Sequence, residues 1–73
     1  MKLNIKPSSN VTACEYDEDK KVFTVTFKNG TSYEYYDVPK EIALGIERAE
    51  STGKYFIANI RNSFVSKKLE KQN

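Results

Sequence analysis

The chain has 73 residues, of which one is cysteine and none is histidine. This length fits one small domain, and a domain of this size buries a small fraction of its surface. The single cysteine, Cys14, excludes an internal disulfide and indicates a reducing compartment. Since the chain also lacks the spacing of a metal site, oligomerisation is the remaining common way to stabilise it. We therefore expect a homo-oligomer without metal or cofactor.

Charge is unevenly distributed along the chain, although the net charge is only +2. Residues 1–50 contain seven Lys or Arg and nine Asp or Glu, a balance of −2, whereas residues 51–73 contain five and one, a balance of +4. Binding of long nucleic acid usually uses a larger basic stripe, whereas a compact anionic ligand needs fewer cations. The sequence shows no apolar run of the length of a signal peptide or a membrane span. We therefore expect a cytoplasmic protein without membrane contact.

The first half of the chain predicts three antiparallel strands. Residues 11–16 and 21–27 alternate as half-buried strands do, and residues 31–36 are rich in Thr and Tyr. The acidic residues 17–20 predict a solvated turn rather than a calcium loop, because the spacing and the glycine of an EF-hand are absent. The second turn contains Asn-Gly at residues 29–30, the strongest short signal for a hairpin.

The length of the second hairpin loop decides which face of the sheet receives the tyrosines. In a three-residue loop with a glycine bulge, Phe27 pairs with Thr31, and Tyr33 and Tyr35 join the buried face. In a two-residue loop, Lys28 pairs with Thr31 instead, and both tyrosines form an exposed platform on which bases could stack. The bulged form gathers the large apolar side chains on one face, and it is the form we expect.

Two helices are predicted after the strands. The first begins near Pro39, a residue suited to the first position of a helix, and extends to about residue 50. Ser51 or Thr52 can cap the second helix, because a side-chain oxygen can accept from an N–H group of the first turn. This second helix extends to residue 62 or 64, and an apolar side chain recurs every four residues from Phe56 to Phe64.

These elements predict an α+β domain, with a three-stranded antiparallel β-meander followed by two α-helices packed on one face. The single domain covers residues 1–73, with a core of about residues 8–65 and a basic C-terminal tail of residues 66–73. We do not expect an enzyme. Without histidine the chain lacks the commonest general base, and Cys14 lies in a strand pattern without an activating partner.

Residues around the second predicted helix carry the groups that bind phosphate, namely a hydroxyl, backbone N–H groups and cations. They are Ser51, Gly53, Lys54 and Arg61. Aromatic faces on which a base could stack are offered by Tyr35, Tyr36 and Tyr55. The alternative is an ordinary amphipathic helix that packs through its apolar stripe, with solvated charges and with the tyrosines in the core.

Several short motifs occur in the order seen in one known family. They are Tyr16-Asp17, Phe23-x-Val25-x-Phe27-x-x-Gly30, Tyr33-x-Tyr35, Val38-Pro39, Ala49-x-Ser51-x-Gly53-Lys54-Tyr55-Phe56 and Ile60-Arg61. Together they cover about residues 8–65. In this set the chain resembles the KTSC domain, a short domain found at the C-terminus of some lysyl-tRNA synthetases and as a free-standing protein. The resemblance implies RNA binding, which has been suggested for that family.

In size and layout the chain is also similar to small phage-borne proteins that sequester cyclic nucleotide signals of bacterial defence. This second resemblance implies an anti-defence nucleotide sponge, which for a phage-encoded chain would act in the host cytoplasm. The basic, hydroxyl and aromatic positions that match are Tyr33, Tyr35, Ser51, Lys54, Tyr55 and Arg61.

We therefore expect a non-catalytic, homo-oligomeric protein that binds a phosphate-bearing nucleotide, and specifically one that sequesters a small cyclic nucleotide signal. The first alternative is an RNA- or tRNA-binding module, which the basic last third of the chain favours. The second alternative is a structural interaction domain that binds neither.

Overall fold

The computed structural model describes residues 1–69, in which three strands come first along the chain. They are β1 (Val11–Asp17), β2 (Val22–Phe27) and β3 (Ser32–Tyr35). Two short helices follow, α1 (Lys40–Gly45) and α2 (Thr52–Phe56), and α2 continues as a π-helical segment over Ile57–Arg61. A fourth strand, β4 (Ser66–Leu69), completes an antiparallel sheet of order β1-β2-β3-β4. The predicted α+β class is confirmed, with the helices packed on one face of the sheet.

The predicted number of strands was wrong, because the stretch interpreted as a basic tail begins with β4. This strand pairs with β3, so that Tyr33 lies opposite Lys68 and Glu34 lies opposite Lys67. Ser-Lys-Lys-Leu has no apolar alternation, and its strand conformation comes from pairing with the free edge of β3. Opposite charges on facing strand positions add to that pairing. The rest of the predicted tail, residues 70–73, lies outside the described residues.

The second hairpin adopts the bulged form that we expect from the sequence. The Phe27 amide donates to the Thr31 carbonyl at 2.8 Å, and Gly30 takes a φ of 88°. This left-handed conformation favours glycine, which has no Cβ to clash with the neighbouring carbonyl. Tyr33 and Tyr35 consequently lie opposite buried positions of β2 and share the inner face of the sheet.

Both helices are shorter than predicted. The first has Pro39 as its N-cap, begins one residue later than expected and ends at Gly45, before the turns of residues 46–48. The second begins after Ser51, whose hydroxyl accepts a hydrogen bond from the Lys54 amide at 3.3 Å, as the capping prediction requires. Its continuation is a π-helical segment, a form that occurs mostly as single turns within helices.

The hydrophobic core lies between the inner face of the sheet and the two helices. The sheet contributes Cys14, Tyr16, Phe23, Val25 and Tyr35, and the helical side contributes Val38, Ala43, Ile46, Phe56 and Ile60. Two tyrosine hydroxyls hold these layers together. Tyr16 donates to the Val38 carbonyl and Tyr55 donates to the Ile42 carbonyl, each at 2.6 Å. The start of α1 is thereby attached to β1, and α1 is attached to α2.

The first residues of the chain cover the outer edge of β1. The Leu3 amide donates to the Cys14 carbonyl at 2.9 Å, and the Tyr16 amide donates to the Met1 carbonyl at 2.8 Å. Leu3 itself is buried in the core. In the described part of the chain, no helical segment has the length and apolar character needed to span a membrane.

Gly45 gives a first test of this packing. An alanine Cβ at this position would overlap the Tyr55 hydroxyl and lie 3.0 Å from Cζ of the same ring. We expect Gly45→Ala to lower the free energy of unfolding, because overpacking costs about 1–3 kcal/mol and the gain in helix propensity is only about 1 kcal/mol. In a Tyr55→Phe background the same substitution should cost about 1 kcal/mol less. Urea unfolding of the parent chain, the two single variants and the double variant measures this difference. Equal costs in both backgrounds would show that the hydroxyl does not limit this position.

A second test concerns alkaline pH. Burial raises the pKa of the Cys14 thiol from 9.0 to about 12, and burial also raises the pKa of Tyr16, Tyr35 and Tyr55. The unfolded chain releases these protons at lower pH than the folded chain. The stabilisation from Cys14 is therefore complete below about pH 9 and is lost as the pH rises towards 12, by about 1.4 kcal/mol per pH unit, and the tyrosines add to this loss above their ordinary pKa of about 10.

Urea unfolding between pH 7 and pH 11 measures this loss. Between pH 9 and pH 10 most of the slope should come from Cys14, so Cys14→Ala should flatten that part of the curve. A stability that stays constant up to pH 11 would contradict the assignment of these groups as buried and protonated.

Candidate functional site

An open groove of about 790 Å³ lies between the inner face of the β3–β4 half of the sheet and the helical segment formed by α2 and its π-helical continuation. We call it the basic groove. Its cationic side chains are Lys28, Arg61 and Lys68. Its aromatic and aliphatic lining consists of Val11, Phe27, Tyr33, Tyr35, Phe56 and Ile57. The groove thus combines positive charge with an apolar floor.

No carboxylate among the described residues neutralises the charge of the groove. Within residues 1–69 no Asp or Glu lines the groove. The ion pair of the described region joins Lys40 and Glu18, with Nζ and Oε1 2.8 Å apart, and it involves none of the groove cations. Lys28, Arg61 and Lys68 are exposed and form no ion pair with a carboxylate of residues 1–69, and cations placed in this way attract anions.

Edge-to-face aromatic contacts hold the floor of the groove in place. The ring centroid of Phe27 is 5.9 Å from that of Tyr33 and 5.8 Å from that of Phe56. The ring centroids of Tyr35 and Phe56 are 5.4 Å apart. Tyr35 is only 5% exposed, so its ring belongs to the core and cannot offer a free face. Apolar surface is instead available on half-buried Tyr33 and on Ile57, which is 50% exposed.

The hydroxyl of Tyr35 remains protonated at neutral pH. Burial raises its pKa, while its hydrogen bond with Ser66 and the charge of Arg61 act in the opposite direction. Arg61 lines the groove together with Tyr35 and Ser66, which lie opposite each other on β3 and β4.

The structure brings four of the eight sequence-predicted site residues together in the groove and places the other four elsewhere. Those in the groove are Tyr33, Tyr35, Gly53 and Arg61. The remaining four are Ser51, Lys54, Tyr55 and Tyr36. Ser51 and Tyr55 make the cap and the Ile42 contact already described, and Lys54 is exposed on α2. The Tyr36 hydroxyl donates to Glu34 at 3.0 Å, and Glu34 lies on the outer face of the sheet.

Sequence reasoning missed two of the three groove cations. Lys28 belongs to a hairpin turn far from Arg61 in the chain, and Lys68 belongs to the stretch interpreted as a tail, seven residues after Arg61. The hairpin register places Lys28 at the end of β2, and the pairing of β4 with β3 places Lys68 beside Tyr33. The charge count of the last third was the only sequence signal for Lys68.

A second concave surface, of about 670 Å³, has the opposite charge. It is lined by Glu15, Asp17, Glu18, Asp19 and Glu34, with Lys20 among them. Asp17 accepts hydrogen bonds from the amides of Asp19 and Lys20 at 3.1 and 3.2 Å, as in an ordinary turn closed by an aspartate side chain. Among the described residues, no three His, Cys, Asp or Glu side chains are grouped as a metal site requires.

Cys14 lies apart from the groove lining and is 1% exposed. Burial raises the pKa of its thiol to about 12, so the thiol is protonated at neutral pH. A protonated, buried thiol is a poor nucleophile, because the thiolate is the reactive form. The groove itself offers cations and apolar side chains, which are groups that can hold an anion against an apolar surface.

A four-stranded antiparallel sheet with helices on one face defines a small α+β domain. Residues 7–64 match the family described as the KTSC domain. The chain therefore belongs to the KTSC domain family, as its ordered motifs predict. The crystal structure of a KTSC domain protein from Yersinia pestis has the same fold, with a TM-score of 0.84 and 25% identity over 96% of this chain and 97% of that one.

Two relatives show that this domain occurs in chains of very different length. A protein from Tsukamurella paurometabola is 33% identical over 57 residues, which are 78% of this chain and 85% of the relative. A lysine–tRNA ligase from Nostoc sp. is 30% identical over 66 residues, which are 89% of this chain but only 12% of the ligase. The ligase thus shares a domain with this chain, and most of its length has no counterpart here.

Proposed function

We propose that this protein binds a phosphate-bearing nucleotide in the basic groove without catalysing a reaction. The observation that carries the proposal is the set of three unneutralised cations around an apolar floor, in a lining where no described carboxylate occurs. A nucleotide has the complementary layout of a charged phosphate and a flat, largely apolar base. The structural alternative of solvated surface charges does not explain why the three meet in one concave surface.

Each part of the groove has a role in this proposal. The guanidinium of Arg61 can form paired hydrogen bonds with two phosphate oxygens, whereas Lys28 and Lys68 act as point charges. Tyr33 and Ile57 offer the apolar surface against which a base can lie. The sequence contains no histidine, and its single thiol is buried and protonated. The described groups are therefore suited to hold a ligand and not to cleave it.

The specific form that we favour is sequestration of a small cyclic nucleotide signal of bacterial anti-phage defence by a homo-oligomer in the cytoplasm. The groove supports this form through its size and through its open side, because a second copy placed there would enclose the ligand. The similarity in size to phage-borne nucleotide sponges adds to this support. A chain with a net charge of only +2 also suits a compact ligand better than a long one.

A second candidate function is binding of RNA, with tRNA as the first substrate to examine. It is favoured by the Nostoc relative, whose name describes a ligase that acts on tRNA and which contains a matching domain. An RNA-binding module predicts affinity that increases with the number of phosphates contacted and weakens steeply with salt. A small-nucleotide site predicts saturation by a ligand that fits within one groove.

Calorimetry with mononucleotides, cyclic dinucleotides and short RNA tests the proposal, with Arg61→Gln as the central variant. We expect at least one ligand to bind, and we expect Arg61→Gln to weaken it about ten-fold or more, the loss of one charge-assisted contact. Arg48→Gln is the matched control, because Arg48 is exposed and does not line the groove. Circular dichroism and thermal unfolding should show all variants folded.

Lys54→Gln separates the basic groove from the site predicted at the start of the second helix. If the groove binds the ligand, this variant should bind like the parent chain, since Lys54 lies outside the lining. Loss of binding equal to that of Arg61→Gln would place the ligand at the helix start instead. An absence of heat with every ligand would remove the proposed function altogether.

A further inference from the structure

The three cations of the basic groove are spread along its length. Strand register gives their order. Ser66 lies opposite Tyr35 at one end, Lys68 lies opposite Tyr33 in the middle, and the Phe27 amide is bonded to the Thr31 carbonyl towards the hairpin turn. The groove therefore follows the strand direction, and each cation can be placed at one level of it.

Arg61 and Lys28 lie at opposite ends of this order. Arg61 ends the π-helical segment and is joined by four intervening residues to Ser66, which lies opposite Tyr35, and both Arg61 and Ser66 line the groove. Lys28 follows Phe27 at the hairpin end, where its amide donates to the Asn10 carbonyl at 2.9 Å. Lys68 is placed between them by its pairing with Tyr33.

The two ends of the groove are separated along the backbone. A strand rises about 3.3 Å per residue, so the four steps from Tyr35 to Thr31 correspond to about 13 Å between Cα atoms. A single phosphate contacts the cations of both ends only if both long side chains fold towards the middle, whereas two phosphates allow each cation to bind at its own level. The surface between the ends includes Tyr33, Phe27 and Ile57, which carry no charge.

We infer that the ligand of the groove carries at least two phosphates joined through a nucleoside, with one phosphate at Arg61 and the other at Lys28. This inference rests on the proposed function and specifies the class of nucleotide. Lys68 lies between the two phosphates, and its positive charge can attract either of them. A nucleoside between them lies against the uncharged middle of the groove. A monophosphate leaves one end without an anion, although no described carboxylate is available to neutralise it.

The test compares adenosine 3′,5′-bisphosphate with adenosine 5′-monophosphate by calorimetry on the full chain at low salt. We expect the bisphosphate to bind about ten-fold more tightly or better, because it gains a second charge-assisted contact. Arg61→Gln and Lys28→Gln should each weaken the bisphosphate about ten-fold, and the double variant about a hundred-fold, since distant contacts add. With the monophosphate, only one of the two substitutions should weaken binding.

Matched controls keep this result specific. Arg48→Gln removes an exposed guanidinium outside the groove, and Lys20→Gln removes a lysine from the acidic surface. Both should bind the bisphosphate like the parent chain. Equal affinity for the two probes, or a double variant no weaker than either single one, would overturn the two-phosphate inference and leave the proposed function intact. If neither these probes nor the earlier ligands bind the parent chain, the proposed function fails as well.

Discussion

The glycine bulge of the second hairpin sets the face on which every side chain of β3 lies. Gly30 takes a left-handed φ of 88°. With this turn, Thr31 pairs with Phe27, whereas a two-residue loop would pair Thr31 with Lys28. A shift of one residue would exchange the two faces and bring Glu34 into the core. Burial of an unpaired carboxylate is strongly unfavourable, whereas the observed register buries Tyr35 against the ring of Phe56.

The same register determines what the basic groove contains. Because β4 pairs with β3, the inner-face positions of β4 are those opposite Tyr33 and Tyr35, and they are occupied by Lys68 and Ser66. The helical segment adds Arg61 from across the groove. One turn conformation thereby leads, through two successive strand pairings, to the meeting of cations from three separate segments of the chain. The fold and the candidate site depend on one local geometry.

Charge is separated between two concave surfaces of the domain. Acidic side chains gather around the turn between β1 and β2, whereas the described lining of the basic groove has cations and no carboxylate. The small net charge of +2 conceals this separation. Local potential, more than net charge, governs the attraction of a compact anion. Membership of the KTSC domain family gives the fold, and the distribution of charge gives the argument for a nucleotide.

The sequence alone determined the fold class and the first three strands, favoured the bulged hairpin and limited the helix cap to Ser51 or Thr52, because each depends on short-range chemistry. Apolar alternation, a glycine able to adopt positive φ and a hydroxyl before a helix act within a few residues. Only the tertiary structure decided that residues 66–69 form a strand, since Ser-Lys-Lys-Leu has no local preference strong enough to predict it. The meeting of Lys28, Lys68 and Arg61 likewise required the tertiary structure. Proximity across a sheet depends on which strands pair, and the local sequence around these residues does not predict that pairing.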